Sequence, residues 1–361
     1  MATQKIPGRA IKLGTDTAGD VAYFDGAAWQ RLAIGESGEV LTMNEAGTFP
    51  SWGTAWQFQG DYNGYIMGGN TNIGPGHVNY DVIERNSFST DTNSVDVGDL
   101  VFARTGCIPC LKSMTHGYAA GGTSGAATYY NQIEKFQFAA SANAVDTADL
   151  TATWAYGGGH SSSLNCYMAG GAISGARTDT INKFVKATEV NATDIANLTT
   201  ATGSPFSSSS TDHGYIAGGT GAGSPAQTDT IQRFTFATDT DATDVGNLNT
   251  ATWAGSSSSS LTHGYIAGGY GHGTLTSNRI EKYSFAASGN ATQIGTLTGG
   301  RGNETLGGTS STTHGYAAGG ITSLPSNVSN VIDKYSFTTD GNASDVGDLT
   351  VPKTNLAGTQ N

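Results

Sequence analysis

The stretch His263-Gly264-Tyr265-Ile266-Ala267-Gly268-Gly269 decides how this chain is read, because it recurs. It appears in turn as NGYIMGG, HGYAAGG, NCYMAGG, HGYIAGG, HGYIAGG and HGYAAGG in a chain of 361 residues. The tyrosines are Tyr65, Tyr118, Tyr167, Tyr215, Tyr265 and Tyr316, spaced 53, 49, 48, 50 and 51 residues apart. A period of about 50 residues marks one supersecondary unit repeated along the chain. The apolar residues after each tyrosine spell a strand. The double glycine ends that strand and lets the backbone turn at positive φ.

The fifth unit shows what surrounds the phrase. A serine tract, Ser256–Ser260, precedes it. Behind it come a loop, the run Asn278–Phe285 (NRIEKYSF), a turn at Ala286–Asn290 and a short strand at Thr292–Leu297. About four strands per unit at this period make a propeller blade. The expected fold is therefore all-β, a six-bladed propeller over residues 54–361. In the third strand Ile83, Ile133, Ile181, Ile231, Ile280 and Ile332 form one column. Aromatics follow three and five residues on, among them Phe136, Phe138, Phe234, Phe236, Tyr283 and Phe285. Ile takes one strand face and the aromatics the other, as a blade packed between two neighbours requires. Small residues such as Ser207–Ser210 suit an innermost strand, where bulky side chains would clash. The first unit has no serine tract of its own, so the tail Val351–Asn361 is expected to supply its innermost strand; Trp56–Gln59 is the rival.

The double glycine after an apolar strand and the aromatic strand behind it resemble the kelch repeat over roughly residues 60–361. The outer-strand tryptophan of kelch units is replaced by Leu100, Leu150, Leu198, Leu248, Leu297 and Leu349, so the repeat is kelch-like with a divergent outer strand.

Residues 1–53 lie outside the repeat and form a small β-rich module. Val21–Phe24 and Trp29–Ala33 flank Asp25-Gly26, a hairpin signal, and Glu39–Met43 reads as a third strand. So few strands bury little core, which points to support from partner chains. Gly19, Asp20, Asp25, Gly26, Trp29, Leu32, Gly35, Gly38, Val40, Leu41, Thr42, Pro50 and Trp52 form a pattern that resembles modules of bacteriophage tail fibres and related virion appendages. The resemblance implies a virion-attachment and oligomerisation module, a homotrimer, and contacts to other virion proteins through residues 1–53. It also implies a viral structural protein made in the host cytoplasm and located on the virion.

Composition narrows the function. A net charge of −12 disfavours nucleic acid or an anionic membrane as partner. No apolar stretch is long enough to span a bilayer, and the N-terminus lacks the apolar core of a signal peptide. Three cysteines are too few for a disulfide scaffold. Cys107 and Cys110 lack the strand–helix context of a redox motif and read as small residues or a chance disulfide. His116, His213, His263 and His314 share one column with Asn63 and Asn165, which points to a repeated hydrogen bond to a neighbouring strand and not to a metal. The basic column Arg85, Lys135, Lys183, Arg233, Lys282 and Lys334 is expected to pair with the Asp column Asp96, Asp146, Asp194, Asp244 and Asp345 or with strand-end carbonyls. The acidic turn Asp239–Asp244 has oxygen ligands for Ca²⁺ but reads as a solvated turn. No cofactor and no catalytic residues are expected.

The links from Gly-Gly to the aromatic strand are the least uniform part of the repeat. Equivalent links share one face, and rigid strands presenting variable loops suit recognition. His77, Tyr80, Tyr129, Tyr130, Arg177, Tyr270, His272 and Arg279 are the ligand-binding candidates, the tyrosines to stack on sugar rings and the others to donate hydrogen bonds. The expected function is non-catalytic host recognition, the binding of a cell-surface receptor or glycan. Alternatives are a structural decoration of neck, head or baseplate, and a glycan-degrading propeller enzyme.

Overall fold

The computed structural model describes residues 17–35, 40–43, 49–53, 56–71, 78–124, 128–221, 227–271, 276–302, 306–323 and 327–361. Two compact units divide the chain, Met1–Trp56 and Gln57–Asn361. Every regular element among the described residues is a strand, and the sheets are antiparallel.

The first unit holds two hairpins. Val21–Phe24 pairs with Trp29–Leu32, and Val40–Met43 with Pro50–Gly53. The strand Pro50–Gly53 is not among the three that the sequence pattern predicts for this segment. Asp25 fixes the first turn by accepting the amides of Ala27 and Ala28 at 2.8 Å. Asp20 accepts the Thr17 and Ile34 amides and pairs with Arg31 at 2.6 Å. These bonds hold the Asp20 carboxyl well below the usual carboxylate range. The Trp52 indole donates to the Ala33 carbonyl at 2.6 Å.

The second unit contains six four-stranded sheets. In each, an inner strand pairs with the tyrosine strand, then the aromatic strand, then an outer strand. In the second sheet these are Ile108–Lys112, His116–Ala120, Gln132–Gln137 and Val145–Asp149. The inner strands of the third to sixth sheets are Gly158–Ser161, Phe206–Ser209, Ser256–Ser259 and Gly307–Ser310. The first sheet takes its inner strand from the other end of the chain. Ala357–Gln360 pairs with Asn63–Met67, Thr359 opposite Tyr65. Phe58 and Gln59 are buried but do not form that strand. Their carbonyls accept from Lys112 and Gln360, and the Gln59 amide donates to the Ser259 carbonyl.

Inner strands are linked sheet to sheet. The amides of Lys112, Ser209 and Ser259 donate to the hydroxyls of Ser161, Ser259 and Ser310, and the Ser310 amide donates to Gln360 Oε1. His160 Nδ1 meets the Ser208 carbonyl at 3.0 Å, and Thr359 Oγ1 donates to the Leu111 carbonyl at 3.1 Å. The links thus lead from sheet two through sheet six to sheet one and back to sheet two. Side chains there must be small because the backbones nearly touch: a Cβ on Gly159 would sit 1.8 Å from the Pro109 carbonyl oxygen.

The core lies between sheets. Each repeat tyrosine packs on aromatics of the following sheet, as Tyr167 does on Phe236 at 4.7 Å and Tyr265 on Phe337 at 4.5 Å. Tyr316 of the sixth sheet stacks on Phe88 of the first at 4.8 Å. The hydroxyls of Tyr65, Tyr167, Tyr215 and Tyr265 donate to carbonyls at Phe138, Phe236, Phe285 and Phe337. All six outer-strand leucines are buried. Both glycines of every Gly-Gly pair have positive φ, 62° and 93° at Gly68 and Gly69.

Candidate functional site

The link between the tyrosine and aromatic strands has a rigid base in each sheet. The residue after Gly-Gly bridges to the segment arriving from the preceding sheet: Asn70 to Thr354, Thr123 to Thr105, Thr220 to Gly203 and Ile321 to Gly302. In the third and fifth sheets Ile173 pairs with Trp154 and Tyr270 with Trp253. Successive links also meet. Asn79 Nδ2 donates to the Ser124 carbonyl at 2.7 Å, and Arg177 Nε donates to Thr220 Oγ1 at 2.9 Å. The Tyr129 hydroxyl lies 3.5 Å from where a Gly175 Cβ would stand. Links one to four thus form a connected strip.

His77 and His272 lie outside the described residues. Tyr80, Tyr129, Tyr130 and Tyr270 are half-buried, and Arg177 and Arg279 are exposed. Tyr130 stacks on Phe102 at 5.3 Å, with the Arg104 guanidinium 5.9 Å from its ring. Tyr80 has the Lys353 ammonium 5.5 Å from its ring. Tyr270 packs on Trp253 at 5.5 Å. Arg279 donates to Thr250 Oγ1 at 2.7 Å. The candidates therefore form half-exposed aromatic pairs and tethered arginines, rooted in the sheets. They are not free loop tips.

Beneath this strip lies a polar column that the sequence reading missed. The residue after each column Ile is Glu84, Glu134, Asn182, Gln232, Glu281 or Asp333, and all six are buried. Each falls at a register shift between aromatic and outer strands. Such a bulge re-aims a side chain. Here it points a polar group at the segment arriving from the preceding sheet. Glu84, Asn182, Gln232 and Asp333 accept both the amide and hydroxyl of Thr350, Thr151, Thr199 and Thr298. Glu134 and Glu281 accept the amides of Val101 and Asn249. Three buried cations on the same segments pair with three of the acids: Lys353 with Glu84, Arg104 with Glu134 at 2.9 Å, and Arg301 with Asp333. The signal was present, since a core strand position that never holds an apolar residue asks for buried partners.

Two expectations need correction. Four lysines of the basic column pair with acids in the turns of the next sheet, not with the outer-strand Asp column. These are Lys135–Glu189, Lys183–Asp239, Lys282–Asp340 and Lys334–Asp91, at 2.5, 2.5, 2.6 and 2.9 Å. Asp96, Asp244 and Asp345 instead accept the amide two residues on. The column histidines bond locally as well: the Nδ1 atoms of His116, His263 and His314 meet the hydroxyl of the preceding threonine at 2.8 to 2.9 Å. Burial pulls the His213, His263 and His314 imidazoles below their ordinary value. Among the described residues no cluster of three or more His, Cys, Asp or Glu could hold a metal ion. Cys107, Cys110 and Cys166 are free thiols, and burial pushes Cys110 up to about 12. No protein-family model matches the chain, and no curated protein matches it.

Proposed function

We propose that the six sheets are blades of one closed, kelch-like propeller, and that the chain is a non-catalytic host-recognition protein of a bacteriophage tail fibre or similar appendage. The inner-strand links that return to their start and the C-terminal strand in the first sheet support closure. The observation that carries recognition is the set of variable links, each rooted on a paired base, the first four in contact with one another. The half-exposed pairs Phe102–Tyr130 at the second link and Trp253–Tyr270 at the fifth suit stacking on a sugar ring. Arg177 and Arg279 supply hydrogen-bond donors beside them. Single sites of this kind bind weakly, and several copies on one particle raise the avidity.

The test is adsorption of purified protein to host cells and to their isolated polysaccharide. The Tyr129→Ala, Arg177→Ala, Arg279→Ala triple variant is expected to lose adsorption by about tenfold or more, equivalent to about 1.4 kcal/mol. Phe102 and Tyr130 are left in place because Tyr130 packs beside the buried Arg104. Unchanged adsorption by the triple variant moves the site to another face. Shortening of the polysaccharide favours the enzyme, and no adsorption at all favours a virion decoration.

A further inference from the structure

The polar column under the links balances its charge in five sheets and fails in one. Where the column residue is Glu84, Glu134 or Asp333, the matching position on the arriving segment is Lys353, Arg104 or Arg301. Where the column residue is the neutral Asn182 or Gln232, the matching position is the neutral Trp154 or Thr202. The fifth sheet breaks this pairing, setting the acid Glu281 against Thr252. Glu281 is 2% exposed. Among the described residues its carboxylate accepts one hydrogen bond, from the Asn249 amide at 3.0 Å, and makes no ion pair. Burial pushes this carboxyl up from its ordinary value, against the Asn249 bond and the field of Arg279.

Space has replaced the missing side chain. A cavity of about 290 Å³ is lined by Glu281, Thr252, Ile266 and Gly268. The equivalent place in the second sheet is filled by Arg104. Its guanidinium bonds Glu134, and its NH1 donates to the Gly121 carbonyl at 2.7 Å. Gly268 stands where Gly121 does in the repeat, so the carbonyl that would accept a guanidinium is at hand. Arg279 at the cavity edge is held by Thr250.

We infer that this cavity is a binding site for a guanidinium group, which takes the place of the absent arginine, pairs with Glu281 and donates to the Gly268 carbonyl. A buried carboxylate with room beside it and no cation in direct contact gains most from such a ligand, since Arg279 acts on Glu281 only from the cavity edge. Primary ammonium groups fit less well, because only the planar fork reaches carboxylate and carbonyl together. The site borders the glycan surface and shares Arg279 with it, so the test below changes only Thr252 and Glu281, which the glycan reading does not use.

The probe is methylguanidinium at millimolar concentration with full-length protein, read by calorimetry and by melting temperature. Wild-type protein is expected to bind it and butylammonium more weakly. Thr252→Arg is expected to abolish binding and to raise the melting temperature without ligand, because its own side chain fills the cavity. Glu281→Gln is expected to weaken binding by about tenfold or more. An acetylated, amidated Gly-Arg-Gly peptide that binds as well as methylguanidinium assigns the site to an arginine side chain of a partner. Binding of the small cation alone assigns it to a free guanidine. No binding by wild-type protein, or undiminished binding by Thr252→Arg, overturns the inference. If Thr252→Arg fails to fold, undiminished binding by Glu281→Gln overturns it as well.

Discussion

At the scale of single residues, burial sets what a titratable group contributes. His160 on the third inner strand is fully buried, bonded through Nδ1 to the Ser208 carbonyl and set edge-on against Phe234 at 5.1 Å. Desolvation pulls its imidazole down to about 3, against that hydrogen bond. The folded chain thus leaves His160 neutral, while the unfolded chain protonates it below about 6.5. The unfolded state binds the extra proton in this window, so stability falls as pH drops from about 6.5 towards 3. His160→Gln is expected to remove up to about 1.4 kcal/mol per pH unit from that slope. Urea titrations of both proteins at several pH values check this, and parallel slopes would rule it out. The Lys353–Glu84 pair is a second residue-scale case. Lys353→Met leaves a buried carboxylate unpaired and should cost about 3–5 kcal/mol. Adding Glu84→Gln should recover most of that loss in the same assay. The column was visible in the sequence as a position that never holds an apolar residue, but its pairing with Lys353, Arg104 and Arg301 was not, because sequence columns show which residue types repeat and not which way a bulge turns them.

At the scale of elements, the periodic parts were legible and the irregular parts were not. Tyrosine and aromatic strands announce themselves by fixed spacing, and both are strands within a residue or two of expectation. Pro50–Gly53 escaped because a strand opening with proline carries a weak pattern. The segment around Phe58 and Gln59 escaped for another reason: it bonds Lys112, Ser259 and Gln360, none of them near it in sequence. Of the candidate site, the links and their tyrosines were foreseen, but their anchoring on Phe102, Lys353 and Trp253 depends on tertiary neighbours. The C-terminal strand gives the sharpest test at this scale. Ala357–Gln360 fills the first sheet, and its Thr359 and Gln360 bond Leu111 and Phe58. Deleting residues 354–361 removes a whole inner strand and Thr354, whose amide and carbonyl bond the Asn70 backbone. The melting temperature should drop by more than about 10 °C. An unchanged melting curve would mean that the first sheet does not depend on the far end of the chain.

At the scale of the whole molecule, the two units differ in how well they bury their own apolar residues. Among the described residues of the second, 58 hydrophobic residues from Phe58 to Ala357 are buried. Among those of the first, no hydrophobic residue is buried, and Phe24, Trp29, Ile34, Val40, Leu41 and Phe49 are all more than 40% exposed. Two hairpins whose described residues bury so little apolar surface are marginal alone. Contiguous exposed apolar surface marks an interaction site. The first unit is therefore expected to bury that surface against copies of itself, and we propose three copies, the number that the resemblance to virion appendage modules implies. Light scattering of the full-length chain should give a trimer mass, and residues 57–361 alone should give a monomer mass. Trp29→Ser with Leu41→Ser should dissociate the full-length trimer without lowering the melting temperature of the second unit. A monomeric full-length chain would refute the oligomer, and a trimeric fragment of residues 57–361 would transfer the interface to the second unit.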